Sequence, residues 1–402
     1  MNAVASELID DTHGFLDELV ALRRAIHAEP EVGLQTPKTC ARLKAALAGL
    51  PLEFREGPST TGFVALLRGR VEGRTVLLRA DTDALPMQEE TGLDFASRNP
   101  GAMHACGHDA HSAMLVGAAR LLCARRESLP GNVIFMFQPG EEGWHGARFM
   151  IDDGLLDPLP DAAFALHVMP NAPHGVFGGR PGPLLASADE VRIRVIGRGG
   201  HASMPHDALD PVPVACEIVS AIQTLVTRNI PVHDPAVVTI SKIEAGTTHN
   251  VIPNSAFLLG TMRTLSSANR QRLQENLARL ARGIAGAHGA TAEVEFKPGF
   301  PVTMCDPRAV ALASRAAEDL FGTAAWLPLP APRMGAEDFA YVLEKVPGAM
   351  FFLGAARAGD DWRSSCGLHS SRMMLDESVM ARGSALHAEF ALRFLRDGLP
   401  SA

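Results

Sequence analysis

The 402-residue sequence contains no segment rich in lysine and arginine, and its formal net charge at pH 7 is -8. Binding to the phosphates of DNA or RNA requires concentrated positive charge, so this composition argues against a nucleic-acid partner. A small neutral or anionic molecule is compatible with the charge as a substrate.

The sequence also lacks an apolar stretch long enough to span a bilayer, so we expect no membrane partner. Residues 1–11 have neither the basic start nor the apolar core of a secretion signal. The cysteines are few and far apart, unlike those of a disulfide-rich protein. They are Cys40, Cys106, Cys123, Cys216, Cys305 and Cys366. We therefore expect a cytoplasmic protein, because a reducing compartment keeps thiols free to bind metal.

A chain of 402 residues is long for a single core, since domains usually take roughly 100–200 residues, so we expect two domains. In the first part of the chain, short apolar runs alternate with helical patterns. Strands are predicted at 75–80, 133–137 and 163–168, and helices at 15–26 and 109–124. This alternation predicts an α/β domain with a mostly parallel sheet flanked by helices.

From about residue 189 the pattern changes. It predicts a strand, a helix, two strands, a helix and a strand at 191–196, 211–227, 236–243, 256–262, 273–284 and 291–295. This order is typical of a two-layer α+β, ferredoxin-like domain. Chemically suggestive residues lie both before it, at Cys106, and after it, at His369. We therefore predict a domain of residues 187–295 inserted into a catalytic domain formed by residues 1–186 and 296–402.

Residues suited to catalysis follow three of the predicted strands. Asp81 and Asp83 come after the first strand, Glu141 and Glu142 after the second, and His167 ends the third. Because the carboxyl ends of parallel strands meet at one edge of a sheet, ligand sites gather there. The sequence therefore predicts that these strand ends converge on one crevice.

A Cys-x-His pair, Cys106 and His108, comes just before the predicted helix at 109–124. Thiolate and imidazole groups bind zinc or a comparable transition metal, and a thiolate can bridge two ions. An isolated pair of this kind is more often structural. The nearby His104, Asp109 and His111 favour a metal site, because so many polar groups are unfavourable to bury without a function. We place His104 and His111 outside the ligand set.

Glu141 and Glu142 form a carboxylate pair in a glycine-bounded turn. One such carboxylate can bind metal while its neighbour takes a proton from the attacking water. A glutamate pair in a loop is usually solvated, but the apolar strand that leads into this turn favours a function. Asp83 can orient an imidazole ligand, coordinate metal directly or cap a turn. Locally, His167 and His369 fit a structural role as well as a ligand role.

The glycine-rich turn at 198–203 lacks the spacing of a nucleotide-binding loop, so we exclude a nucleotide site there. His201 in this turn can instead donate a hydrogen bond from a mobile lid.

Taken in order, these motifs resemble those of the cocatalytic metallopeptidases that include aminoacylase and certain carboxypeptidases. The most similar branch contains N-acyl-amino-acid amidohydrolases, hippurate hydrolases and auxin-conjugate hydrolases. The resemblance covers nearly the whole chain, and ordered agreement of this kind is more specific than any single motif. The matching segments are residues 23–31, 80–86, 104–109, 138–143, 200–203, 250–253 and 335–339, followed by His369.

The resemblance implies a site for two divalent ions per subunit, of zinc, manganese, cobalt or nickel, with Glu141 as the general base. Asp83 matches the orienting carboxylate of relatives. Other branches have a histidine ligand where this chain has Asp81, so we assign no metal role to Asp81. The implied metal ligands are Cys106, His108, Glu142, His167 and His369.

In relatives, the inserted domain forms a dimer and its histidine reaches the active site of the neighbouring subunit. The resemblance thus implies a homodimer in which His201 acts across the interface. Asn250 and Arg263 match substrate-binding residues, and the fork of donors on Arg263 suits a carboxylate. Their local patterns fit a turn asparagine and a solvated strand arginine equally well. Trp144 stands where many relatives carry a small residue, and its indole either narrows the pocket or packs ordinarily.

The function we predict is metal-dependent hydrolysis of the amide bond of an N-acyl or N-aroyl amino acid, which yields a carboxylic acid and a free amino acid. One alternative is a dipeptidase or carboxypeptidase, which applies the same chemistry to a peptide bond. Another is a noncatalytic protein that has kept the lid and binds amino acids. Retention of Glu141 and of the whole implied ligand set argues against this last alternative.

Overall fold

The computed structural model describes residues 3–401. The chain forms two compact units. The larger unit comprises the chain up to Leu184, Met304–Ala331 and the chain from Asp338 onward, and the smaller comprises Leu185–Thr303 and Pro332–Glu337. Among the described residues, no helix combines the length and the apolar character needed to cross a bilayer.

The helices and strands are numbered in chain order. The helices are α1 Ala3–Gly14, α2 Leu16–His27, α3 Pro37–Ala46, α4 His108–Ala124, α5 Gly146–Asp152, α6 Pro211–Asn229, α7 Ser267–Ala287, α8 Pro307–Phe321, α9 Ala340–Leu343 and α10 Val379–Asp397. The strands are β1 Leu52–Glu56, β2 Phe63–Arg68, β3 Val71–Asp81, β4 Pro130–Gln138, β5 Ala162–Met169, β6 Phe177–Gly179, β7 Gly182–Leu185, β8 Asp189–Ile196, β9 Gly200–His201, β10 Ala236–Ala245, β11 Val251–Ile252, β12 Ser255–Thr264, β13 Thr291–Pro298, β14 Thr303–Cys305, β15 Trp326–Pro328 and β16 Gly348–Gly354.

The larger unit is built on an eight-stranded sheet in the order β1-β2-β4-β3-β5-β16-β6-β15. The central strands β4, β3, β5 and β16 are parallel to one another, whereas the pairs β1–β2, β2–β4 and β16–β6 are antiparallel. The whole of β5 and β16 is buried, as expected for strands covered on both faces. The prediction of a mostly parallel α/β sheet flanked by helices is confirmed.

Helix α4, which leads away from the predicted Cys-x-His pair, packs closely against α10. A Cβ at Gly117 would lie 2.3 Å from Ser384 Oγ, and one at Gly383 would lie 2.0 Å from Met114 Sδ. The missing side chains therefore allow the two helices to approach. Beneath α10, the ring of Phe164 in β5 stacks on Phe390 at 4.9 Å between centroids. Burial of one such side chain contributes roughly 1.5–3 kcal/mol, which anchors these elements around the sheet.

The smaller unit has an antiparallel sheet in the order β10-β12-β8-β13, with α6 and α7 packed on it. Alternate residues of β8 are buried, so Val191, Ile193 and Val195 enter a core with Ile218 and Leu273. The order β8, α6, β10, β12, α7, β13 is the predicted ferredoxin-like pattern, and this part of the fold prediction is also confirmed.

The bounds of the smaller unit differ from the predicted range 187–295. Residue 295 falls inside β13, which continues to Pro298, and the unit extends to Thr303. A short return of the chain also belongs to this unit, because Ala186 N–H donates to the Gly335 carbonyl oxygen at 2.8 Å. This returning segment, Pro332–Glu337, is only six residues long. It is too short to show the hydrophobic periodicity from which an element is predicted.

Candidate metal centre

The carboxyl ends of β3, β4 and β5 lie at one edge of the sheet, because these strands are parallel neighbours. Asp83 follows β3, Glu141 and Glu142 follow β4, and His167 lies near the end of β5. Asp83, Glu141 and His167 are only 1%, 6% and 7% exposed. The larger unit thus places buried acidic and imidazole groups where three strands end.

The turn before α4 brings Cys106 and His108 to the same edge. Gly107 adopts φ +85°, and a Cβ there would lie 2.3 Å from Val168 Cγ2. Glycine is therefore required for this turn to approach β5 so closely. As a result, Cys106 Sγ lies 3.4 Å from His167 Nε2.

Two imidazoles direct their Nε2 atoms into this space. His167 donates from Nδ1 to the Val168 carbonyl oxygen at 2.7 Å, which leaves Nε2 facing Cys106. His108 donates from Nδ1 to the Asp83 carbonyl oxygen at 2.8 Å. Its buried Nε2 has no hydrogen-bond partner among the described residues. A histidine whose other nitrogen is fixed by a backbone carbonyl is the usual form of a metal ligand.

The thiol of Cys106 belongs to two groups of side chains, and within each group the potential ligand atoms all lie within 4.8 Å of one another. The first group is Cys106, His108 and His167, and the second is Cys106, Glu142 and His369. All five residues predicted as metal ligands are therefore brought together in the larger unit, with Cys106 common to both groups. Their role as ligands stays a prediction.

The second group contains protons that a metal ion would displace. His369 Nε2 lies 3.1 Å from Glu142 Oε1, and His369 is held in a left-handed conformation by a hydrogen bond from its N–H to the Ala105 carbonyl oxygen. Hydrogen bonds to Cys106 and Glu142 raise the pKa of His369 to about 10. Burial raises the pKa of the Cys106 thiol. Metal binding at such a site releases protons and is therefore favoured as the pH rises.

The Asp83 carboxylate holds the turn that carries the two glutamates. Its Oδ1 accepts the N–H of Glu141 at 2.9 Å, and its Oδ2 accepts the N–H of Glu142 at 3.1 Å. The backbone carbonyl of Asp83, rather than its side chain, makes the hydrogen bond to Nδ1 of His108. Asp83 thus orients both an imidazole and the glutamate pair, through different atoms.

Replacement of Asp83 by asparagine is expected to lower kcat by about 10- to 100-fold, the usual effect of losing a group that orients a metal site. An amide replaces one of the two accepting oxygens by an NH₂ donor, so the two backbone N–H groups can no longer each have their own acceptor and the turn with Glu141 would shift. Steady-state hydrolysis with measured metal content checks this prediction. The matched control is Asp161→Asn, because Asp161 accepts the Thr75 N–H at 2.7 Å on the exposed surface. An equal kcat in the two variants would contradict it.

Asp81 and His111 lie beside the site, and with His108 they form a further group whose potential ligand atoms all lie within 4.8 Å of one another. His111 donates from Nδ1 to Asp81 Oδ1 at 2.6 Å and accepts the Val168 N–H at Nε2, so neither of its nitrogens is free. The other oxygen of Asp81 accepts a hydrogen bond from Arg79 at 2.7 Å. These contacts fix Val168, whose carbonyl in turn orients the neighbouring His167. The placement of His111 outside the ligand set stays a prediction.

A buried polar cluster beside the site was not identified from the sequence. Asp338 accepts hydrogen bonds from Gln138 at 2.8 Å, from Arg79 at 3.0 Å and from the N–H of Ala147 at 2.9 Å. It thereby ties the end of β4 to the start of α5, on either side of the glutamate turn. Arg79 directly after the buried apolar run 76–78 is a signal for such a cluster, since a buried charge requires a partner.

The three remaining predicted residues belong to the smaller unit. His201 in β9 pairs with Val251 in β11, and the Ala202 N–H donates to the Asn250 carbonyl oxygen at 3.2 Å, so His201 and Asn250 are neighbours. Arg263 is half-buried in β12, where it donates to the Thr261 hydroxyl. Their roles in substrate binding and catalysis stay predictions.

Trp144, next to the glutamate pair, lies against Gly33. A Cβ on Gly33 would come within 3.3 Å of the indole, yet 51% of Trp144 is exposed. The indole therefore packs against the backbone at Gly33, while about half of the side chain stays exposed to solvent. His145 follows in a left-handed conformation, with Nδ1 2.9 Å from the Tyr341 hydroxyl.

Curated relatives match almost the full chain. It is 39% identical over 380 residues to the N-acetylcysteine deacetylase of Bacillus subtilis strain 168, covering 94% of this chain and 97% of that protein. It is 36% identical over 397 residues to thermostable carboxypeptidase 1 of Saccharolobus solfataricus, covering 97% and 99%. It is 35% identical over 385 residues to IAA-amino acid hydrolase ILR1-like 4 of Arabidopsis thaliana, covering 95% and 86%.

A solved structure is also similar to this chain over almost its full length. A Bacillus subtilis protein described as a dinuclear metal binding peptidase from the M20 family superposes with a TM-score of 0.84 at 36% identity, covering 96% of this chain and 99% of that one. The model of peptidase family M20/M25/M40 matches residues 77–393. The resemblance inferred from the motifs is thus confirmed, and the chain belongs to peptidase family M20/M25/M40.

Proposed function

We propose that the protein is a metal-dependent amidohydrolase that cleaves the amide bond of N-acyl or N-aroyl amino acids to a carboxylic acid and a free amino acid. The observation that carries this proposal is the position of Cys106 in two ligand groups, with Glu141 in a further group beside them. Similarity to an N-acetylcysteine deacetylase and to an IAA-amino acid hydrolase supports the substrate class, since both names describe modified amino acids.

The donor set fits two divalent ions. The buried Nε2 of His108 has no hydrogen-bond partner in the described part of the chain, and a thiol, carboxylates and further imidazoles surround it. Such a mixed set suits zinc, manganese, cobalt or nickel. We assign the ions to Cys106, His108, Glu142, His167 and His369. When bound, they polarise the amide carbonyl and lower the pKa of water towards about 7.

Glu141 moves the proton in this proposal. Its Oε2 lies 4.0 Å from Nε2 of His108, and its backbone is fixed by Asp83. The carboxylate takes a proton from the attacking water and delivers it to the leaving nitrogen, because a positioned carboxylate can act first as base and then as acid. Glu142 would hold metal, which leaves the proton transfer to Glu141.

The smaller unit supplies the remaining groups. His201 accepts the Ser203 N–H at Nδ1, at 3.1 Å, so a neutral ring carries its proton on Nε2 and can donate it to the developing oxyanion. Asn250 and Arg263 bind the substrate carboxylate. In this proposal residues 187–295 act as a lid whose closure completes the site, and they form a homodimer in which His201 serves the neighbouring subunit. We place the enzyme in the cytoplasm.

A carboxypeptidase is the second candidate, and the 36% identity to an archaeal thermostable carboxypeptidase favours it. Release of free amine from N-acetyl, N-benzoyl and other N-acyl amino acids, compared with unmodified dipeptides, separates the two. The assay uses enzyme loaded with each defined metal. We expect higher kcat/KM for the acylated substrates, and higher kcat/KM for dipeptides would replace the proposed function by peptidase activity. Tight binding of N-acyl amino acids without amine release would instead indicate a noncatalytic protein.

A further inference from the structure

The first turn of α4 is tied to α2 by buried charged side chains. Asp109 follows the proposed ligand His108 directly, and its carboxylate is fully buried. One oxygen, Oδ2, lies 2.7 Å from Arg23 Nε and 2.8 Å from His27 Nδ1. Arg23 and His27, both in α2, are 2% and 0% exposed.

Two further acidic side chains contact His27 and Arg23. Nε2 of His27 lies 3.2 Å from Glu89 Oε1, and Nη1 of Arg23 lies 3.2 Å from Glu377 Oε1. Both nitrogens of His27 face carboxylates, which only accept hydrogen bonds, so the protonated form of the ring donates to both. Burial opposes this charge, but Asp109 and Glu89 outweigh burial and raise the pKa of His27.

Stability alone does not explain such an arrangement. Removing charges from water is unfavourable, and apolar residues of similar volume often stabilise a fold as well or better. The charges also restrict orientation, because the Asp109 carboxylate forms an ion pair with Arg23 at 2.7 Å and a hydrogen bond with His27 at 2.8 Å through the same oxygen. The residue so fixed is adjacent to His108 and three positions from Cys106.

We propose that Arg23, His27 and Asp109 are positioning residues that fix the first turn of α4 so that Cys106 and His108 hold metal. The proposal rests on the proposed function in one respect, namely that Cys106 and His108 are ligands. Asp109 is held at its side chain by α2, while the N–H of Ala110 donates to the Gly107 carbonyl oxygen at 2.9 Å and completes the turn. Loss of the Arg23 contact would therefore let the ligand-bearing turn relax.

The test is the affinity for Zn²⁺, measured by competition with a chelator, in the full chain carrying Arg23→Gln. Zinc binds strongly to nitrogen and sulfur ligands, so it serves as a probe whatever the native ion is. We expect about 10- to 100-fold weaker binding, the usual effect of removing a residue that supports a ligand. The matched control is Arg120→Gln, because Arg120 in α4 also pairs with α2, through Glu18 at 2.6 Å, but near the surface.

A melting temperature and a gel-filtration profile accompany each titration. If Arg23→Gln does not fold, His27→Gln replaces it, since glutamine keeps a donor but loses the charge. A folded variant with lower melting temperature and unchanged Zn²⁺ affinity would overturn the proposal and leave a purely structural role. Cys106→Ser in the same titration tests the proposed metal centre separately from the positioning role of Arg23. If its Zn²⁺ affinity equalled that of the unmodified protein, the proposed metal centre would be wrong.

Discussion

Replacement of Glu141 by glutamine is expected to reduce kcat by about 10²- to 10⁴-fold, the range that a general acid–base group contributes. Glutamine has nearly the same volume but cannot take a proton at neutral pH. Because Glu141 is only 6% exposed and its N–H is held by Asp83, the substitution should leave the turn in place. Metal content, measured by elemental analysis of the purified variant, should remain that of the unmodified protein.

The matched control for this variant is Glu127→Gln, because the Glu127 side chain is 73% exposed and pairs with Arg70 on the surface. That variant should hydrolyse the substrate at the normal rate. Near-normal turnover in Glu141→Gln would assign the proton transfer to another group. A loss of metal in Glu141→Gln would instead make Glu141 a ligand and not the base.

The sequence was sufficient to predict the elements that carry the site. Residues 75–80, 133–137 and 163–168 lie within β3, β4 and β5, and residues 109–124 lie within α4. These predictions depend on the local spacing of apolar residues, which indicates whether one face or both faces of a helix or strand are buried. The positions of Asp83, Glu141 and His167 at strand ends follow from the same pattern, together with the parallel order of the strands.

What the sequence did not predict depends on contacts between distant residues. Asp338 and Arg79 are 259 positions apart, yet they form a hydrogen bond beside the site. The carboxylate of Asp83 accepts backbone N–H groups 58 and 59 residues away, so its partners were not evident from its own motif. The predicted boundary at residue 295 falls inside β13, because a strand end carries little local signal and β13 continues through Phe296 and Lys297 to Pro298.

Replacement of Cys106 by serine is expected to weaken both metal positions at once. Cys106 is the member common to the two ligand groups, whereas His167 and His369 each belong to one of the two. A serine hydroxyl is a poor replacement for a thiolate, which is the soft ligand in this set. We therefore expect metal stoichiometry near zero for Cys106→Ser at limiting metal, and a loss of hydrolysis well beyond the about 10- to 100-fold effect of a supporting residue.

Comparison with single-group variants makes this prediction specific. His167→Gln and His369→Gln should each lose one ion per chain and retain the other, as measured by metal titration and native mass spectrometry. Cys123→Ser is the matched control, since Cys123 is a buried free cysteine at the far end of α4, the helix that Cys106 precedes, and burial raises the pKa of its thiol to about 12. That control should bind two ions. If Cys106→Ser loses only one ion, the thiolate serves a single ion, and the two positions are independent rather than bridged.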